Sequence, residues 1–104
     1  MIRALIHPGE QLRDMLEEMD MSASQFSKLL DVPTNRITQI MNGQRAITAD
    51  TALRLAHYFG NSPEFWLNLQ RNYDLVLAER EAGDALKALP TLARTSVTPP
   101  AMPI

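Results

Sequence analysis

The sequence contains no cysteine, which excludes disulfide staples, thiolate metal sites and thiol nucleophiles together. A reducing cytoplasm is the compartment that fits. Its two histidines, His7 and His57, stand far apart with no HxxH or HExxH spacing, so no metal ion is expected. Gly9, Gly43, Gly60 and Gly83 are isolated single glycines, and a phosphate-cradling glycine loop is therefore absent. No apolar run approaches the roughly 20 residues that span a bilayer. The opening MIRALIHPGE breaks at Pro8 and Gly9 before a signal-peptide core develops, so neither secretion nor membrane insertion is expected. No nucleophile–base pair can be nominated; an enzyme is the least favoured class, and no cofactor is expected.

What is present is a foldable chain of 104 residues, 45% hydrophobic and 21% charged, long enough for one ordinary domain. Strand-like alternation is nowhere sustained, while helical periodicity recurs five times, each time behind a helix-start signal. The first helix opens near Pro8 and runs to about Met19, with Leu12, Met15, Leu16 and Met19 as its inward stripe. The second starts at Ser22, where Ser22 and Gln25 have capping-box spacing, buries Phe26, Leu29 and Leu30, and ends near Asp31. Thr34 is the expected cap of a third, with Ile37, Ile40 and Met41 inward and a stop at Asn42-Gly43. Thr48 caps a fourth, with Asp50 in its first turn and Ala52, Leu55, Ala56 and Phe59 inward as far as Gly60. Ser62-Pro63-Glu64 starts a fifth, whose apolar set from Phe65 to Leu77 is wider than one stripe and suggests a second partner surface. The expected organisation is a helical domain over residues 1–83, followed by a short, flexible, proline-rich tail over residues 84–104.

Charge is unevenly spread. Residues 1–21 carry two basic against five acidic side chains, and residues 22–54 carry four against two. The positive charge thus falls on helices two to four. A net charge of −2 argues against indiscriminate polyanion binding but permits a directed face with few contacts.

Two short helices joined by about three residues, the second with amide and small polar side chains outward, are what a helix-turn-helix reader of DNA requires. The major groove admits one helix, and base edges there are recognised by Asn, Gln, Thr and Arg side chains. Asn35, Arg36, Thr38 and Gln39 provide that set, with Ile37 and Ile40 as anchors on the opposite side.

The stretch SASQFSKLLDVPTNRITQIMNGQRAIT resembles the lambda-repressor-like (XRE) helix-turn-helix family. IHPGE, ITADTALRLAHYFGNSPEFWLNLQ and NYDL are similar to the HigA-type, VapI-like antitoxins, and together these segments cover about residues 6–77. The resemblance implies an all-α, five-helix fold and dimerisation through the C-terminal helical part. It also implies repression of the module's own promoter at palindromic double-stranded operator DNA, and neutralisation of a HigB-type toxin, a RelE-like ribonuclease that cuts mRNA. Carried over by position, Thr34, Asn35, Arg36, Thr38 and Gln39 are candidate groove contacts, and Ser24, Gln25, Lys28, Asn42, Gln44 and Arg45 fall where phosphates are held. Phe65, Trp66, Leu69 and Tyr73 are candidate dimer-interface residues. Two positions depart from the family pattern: Asp31 stands where the turn commonly has Gly, and Ser27 where helix two commonly has Ala. Asp tolerates the left-handed conformation and Ser is nearly as small as Ala, so neither blocks the motif. The alternatives are a solitary or phage-type repressor without a toxin, and a protein-interaction module that has lost DNA binding.

Overall fold

A computed structural model describes residues 5–92 as five α-helices, with no strand among the described residues. They are α1 (Pro8–Glu18), α2 (Ala23–Leu30), α3 (Thr34–Met41), α4 (Ala49–Phe59) and α5 (Pro63–Lys87).

The starts follow local chemistry. His7 caps α1: its Nδ1 accepts from the Gly9 N–H at 2.9 Å, and Pro8 fills the first helical position, where a missing N–H costs nothing. Both halves of the capping box at α2 form. The Gln25 N–H donates to Ser22 Oγ at 3.1 Å, and the Ser22 N–H donates to Gln25 Oε1 at 2.9 Å. Thr48 accepts from Thr51 N–H at α4, and Ser62 from Phe65 N–H at α5. Thr34, by contrast, is not a cap. Pro33 occupies that position without a side-chain bond, and Thr34 begins the helix itself.

The stops also have local causes. Asp31 takes the left-handed conformation at φ 56° and ψ 51°, the role that its short polar side chain permits. Gly43 and Gly60 do the same at φ 75° and 74°.

Leu12 and Leu16 of α1, Phe26 and Leu30 of α2, Ile37 and Ile40 of α3, and Leu55 of α4 enclose Trp66 of α5 in one core. Ile47, in the α3–α4 connection, joins them. An aromatic series runs through it, with Phe26 against Phe59 at 5.6 Å and Phe59 against Trp66 at 5.7 Å between ring centres. Leu29 departs from expectation. It is 56% exposed, because Phe26, Ser27 and Leu30 define the inward face of α2 and Leu29 falls to its side. Met19, at the end of α1, is exposed as well.

The boundary at Gly83 needs correction. Helix α5 passes through it and continues to Lys87, so residues 84–87 are helical and not tail. Nothing in Gly83-Asp84 stops a helix already propagating, since a single Gly costs only about 1 kcal/mol. The proline-rich part of the expected tail, from residue 93 onward, lies outside the described residues. At a rise of about 1.5 Å per residue α5 is about 37 Å long. Beyond Val76 it has no buried residue among those described.

Candidate nucleic-acid interface

Helices α2 and α3 pack against each other across a three-residue turn, and the sequence departures at that turn acquire a use. Ser27 is buried. Its hydroxyl donates to the Ser24 carbonyl at 2.8 Å and lies 3.0 Å from Thr34 Oγ1. With the Ser27 proton committed to Ser24, Thr34 is the donor of the second bond. An alanine at position 27 would leave the two helices without this link.

Helix α3 turns Ile37 and Ile40 fully inward. At about 100° per residue, Asn35, Thr38, Gln39 and Asn42 lie on the opposite face. Asn35 and Asn42 are exposed, and Thr38 and Gln39 half-buried along the helix surface. Thr38 Oγ1 donates to the Asn35 carbonyl at 3.3 Å, a weak intrahelical bond.

Two of the expected groove contacts are placed otherwise. The Thr34 hydroxyl is spent on Ser27, inside the motif. Arg36 projects along the flank of α3 toward α4, where its Nη1 donates to Asp50 Oδ2 at 2.8 Å. Its position in the helix, one residue before the inward Ile37, carries it away from the outward face. Sequence spacing of three or four residues groups Arg36 with Gln39 and Ile40 alike, so only the packed structure decides the direction.

The expected phosphate contacts all lie on the surface. Ser24 and Lys28 are exposed on α2, and Gln44 and Arg45 are exposed beyond α3. Gln25 has its carbonyl oxygen committed to the α2 cap, which leaves the amide N–H₂ as the free donor. Asn42 Oδ1 accepts from Arg13 Nη2 at 3.0 Å, and the same nitrogen donates to the Met41 carbonyl at 3.0 Å.

Arg13 is one of several functional residues that the sequence reading missed. It closes the C-terminal end of α3 from α1, satisfying a carbonyl that the helix leaves orphaned. Gly9 is another. A Cβ there would lie 1.8 Å from the Ile40 carbonyl oxygen, so α1 seats directly on the backbone of α3 only because position 9 lacks a side chain. The HPGE run contained that signal; Arg13 had none. Arg54 of α4 donates to the Leu30 carbonyl at 2.8 Å and to Asp50 Oδ2 at 3.0 Å, holding the end of α2. The Asp50–Arg54 spacing of four is visible in the sequence, whereas their shared partner is not. Hydrogen bonds from Arg54 and then Arg36 hold the Asp50 carboxyl below the usual carboxylate range.

Behind the motif, buried Gln70 of α5 accepts from the Ile47 N–H at 2.8 Å and donates to Asp74 at 2.9 Å, fixing the α3–α4 connection. Trp66 is removed from the dimer-interface set. It is 0% exposed and its Nε1 donates to Asn61 at 3.0 Å, so it is a core residue of its own chain. Phe65 is exposed, and Leu69 and Tyr73 are half-buried. An apolar stripe with helical spacing, exposed at Leu75, Ala78 and Leu86 and half-buried at Ala82, continues along the projecting half of α5. Among the described residues no group of three or more His, Asp or Glu side chains could hold a metal ion, and no helix is long and apolar enough to cross a membrane.

Comparison with known proteins agrees with this geometry. Residues 12–66 match a helix-turn-helix family. The chain is 52% identical over 77 residues to virulence-associated protein I of Dichelobacter nodosus, covering 73% of this chain and 71% of that protein. The structure of an addiction module antidote protein of a HigA family from Coxiella burnetii superposes with a TM-score of 0.81 at 51% identity, covering 93% of this chain and 99% of the other. The Pseudomonas aeruginosa antitoxin HigA, solved with the higBA promoter, superposes with a TM-score of 0.83 at 39% identity over 86% of this chain and all of that one. A core that presents α3 outward from a rigid helix-turn-helix, together with these similarities, makes the chain a member of the helix-turn-helix family and, within it, of the HigA-type antitoxins.

Proposed function

We propose that this protein is a cytoplasmic, homodimeric antitoxin that binds palindromic operator DNA, represses its own promoter and neutralises a HigB-type toxin. The observation that carries the DNA-binding part is the outward face of α3. Its Asn35 is exposed and its Thr38 and Gln39 are half-buried, while Ile37 and Ile40 behind them are fully buried. Amide side chains there suit the bidentate recognition of adenine edges. Ser24, Gln25 and Lys28 on one side, with Asn42, Gln44 and Arg45 on the other, are the groups that hold phosphates and fix register. A similar antitoxin solved with its promoter supports this assignment.

Dimerisation runs through α5. Phe65, Leu69 and Tyr73 contribute at its base, and the Leu75, Ala78, Ala82 and Leu86 stripe extends the contact along the projecting turns. Two copies place their α3 helices about 34–36 Å apart, or a multiple of it, on one face of the duplex. The toxin part rests on family membership alone.

Co-expression with the neighbouring gene, followed by mobility shift of the upstream DNA, tests both parts. Relief of toxicity, together with a shift that random-sequence duplex does not compete away, is expected. A specific shift without any relief from a neighbouring toxin gives the solitary repressor instead, and relief without a shift gives the pure interaction module. Gln39→Ala is expected to lower the preference for operator over random duplex by about 10-fold or more per half-site, with dimerisation unchanged.

A further inference from the structure

Arg36 and Arg54 converge on a single oxygen, Asp50 Oδ2, at 2.8 and 3.0 Å. The two arginines are not equivalent. Arg54 is also held by the Leu30 carbonyl at 2.8 Å and, more weakly, by that of Asp31 at 3.4 Å, so its place at the end of α2 does not depend on Asp50. For Arg36 the bond to Asp50 is the side-chain hydrogen bond found in the structure. Arg36 stands in the first turn of the outward helix, between Asn35 on the outward face and Ile37 in the core. A guanidinium released at that point is within its own length of anything seated against α3. A carboxylate is also a costly group to keep beside a polyanion unless it is neutralised, and here two cations neutralise it.

We propose that Asp50 is a specificity-determining residue: by pairing with Arg36 it withholds one guanidinium per chain from the DNA backbone and leaves recognition to the uncharged side chains of α3. This rests on the DNA-binding reading given above. On random duplex phosphate contacts alone hold the protein, so a freed guanidinium adds its full affinity there, whereas on the operator the amide and hydroxyl contacts already fix α3 in one register in which that guanidinium gains less. Sequestering a cation at the recognition helix therefore lowers binding to random DNA more than to the operator, and widens the ratio between them.

The experiment measures the Kd for a duplex carrying the upstream DNA of this gene and for a random-sequence duplex, each over a range of salt concentrations. Asp50→Asn keeps the shape of the side chain and removes the charge that holds Arg36. It is expected to tighten binding to random duplex by about 10-fold at low salt, to steepen the slope of log K against log salt by about 0.9 per chain, and to narrow the operator preference. Arg36→Gln alone is expected to leave the slope unchanged. The double variant is expected to return to the wild-type slope and preference. Asp31→Asn, which removes the same charge from the neighbouring turn at a position where Asn tolerates the left-handed backbone, controls for net charge and is expected to change the slope by much less.

A slope that does not change in Asp50→Asn, with the fold intact by circular dichroism, overturns the proposal. So does a flatter slope in Arg36→Gln, which means that Arg36 already contacts DNA in the wild type. An equal change in Asp31→Asn overturns it too, because the effect is then one of net charge. Failure of the wild-type protein to prefer its upstream DNA at any salt overturns the DNA-binding reading itself, which separates the two failures.

Discussion

At the scale of single residues, two positions show how much is asked of small groups. Gly9 is where α1 meets the backbone of α3, and a methyl group added there would fall 1.8 Å from the Ile40 oxygen. The neighbour is main chain, which cannot rotate aside, so the helices must separate. Gly9→Ala is expected to lower stability to urea by about 1–3 kcal/mol, the usual cost of overpacking, with a parallel loss of operator affinity as α3 shifts. His7 caps α1 through a lone pair on Nδ1 and sets its ring edge-on against Tyr73 of α5 at 4.8 Å. Burial lowers its pKa below 6.5, outweighing the opposite pull of Asp74 and Glu10. The folded protein thus prefers the neutral ring. The stabilisation is complete above about pH 6.5, where the unfolded chain is also neutral, and is lost as pH falls through that value toward the lower folded pKa. Melting temperatures between pH 8 and 5 should fall in the wild type and fall less in His7→Asn, which keeps a good cap and removes the titration.

At the scale of elements, the motif is braced from three sides, and each brace acts on a helix end. The Ser22–Gln25 capping box starts α2, Arg54 holds its last carbonyls, and Arg13 holds the last carbonyl of α3. An eight-residue helix is too short to be stable alone, so its ends matter more than its length. Ser22→Ala is expected to cost about 1 kcal/mol in chemical denaturation, since it orphans the Gln25 N–H. Loss of a full two-helix unit at lower denaturant than the rest would instead show that α2 and α3 unfold apart from the core. The capping residues were legible because their partners lie three positions away. Thr34 was misread as a cap by the same reasoning, since the distant Ser27 hydroxyl competes for it and Pro33 occupies the cap position without needing a side chain.

At the scale of the whole molecule, α5 divides into a half that closes the core through Trp66, Gln70 and Val76 and a half that projects with an apolar stripe. Sedimentation equilibrium is expected to show a dimer that dissociates in Leu75→Glu with Leu86→Glu, while the helical content stays near wild type because both residues are exposed in the single chain. Operator affinity should then drop to that of one half-site. A wild-type monomer at micromolar concentration would remove α5 as the dimer element. Sequence alone specified the number of helices, the caps of α2, α4 and α5, the stops after α2, α3 and α4, and the polar face of α3, because periodicity and capping are properties of residues within four positions of one another; it misplaced the cap of α3 and the end of α5. It could not tell Trp66 in the core from Phe65 on the surface, since α5 carries apolar residues on several faces. Nor could it turn Arg36 toward Asp50, seat α1 on α3 at Gly9, or bring Arg13 to the end of α3. Those choices depend on which side chains meet across fourteen to thirty-one residues of chain, and only packing the helices around one core makes them meet.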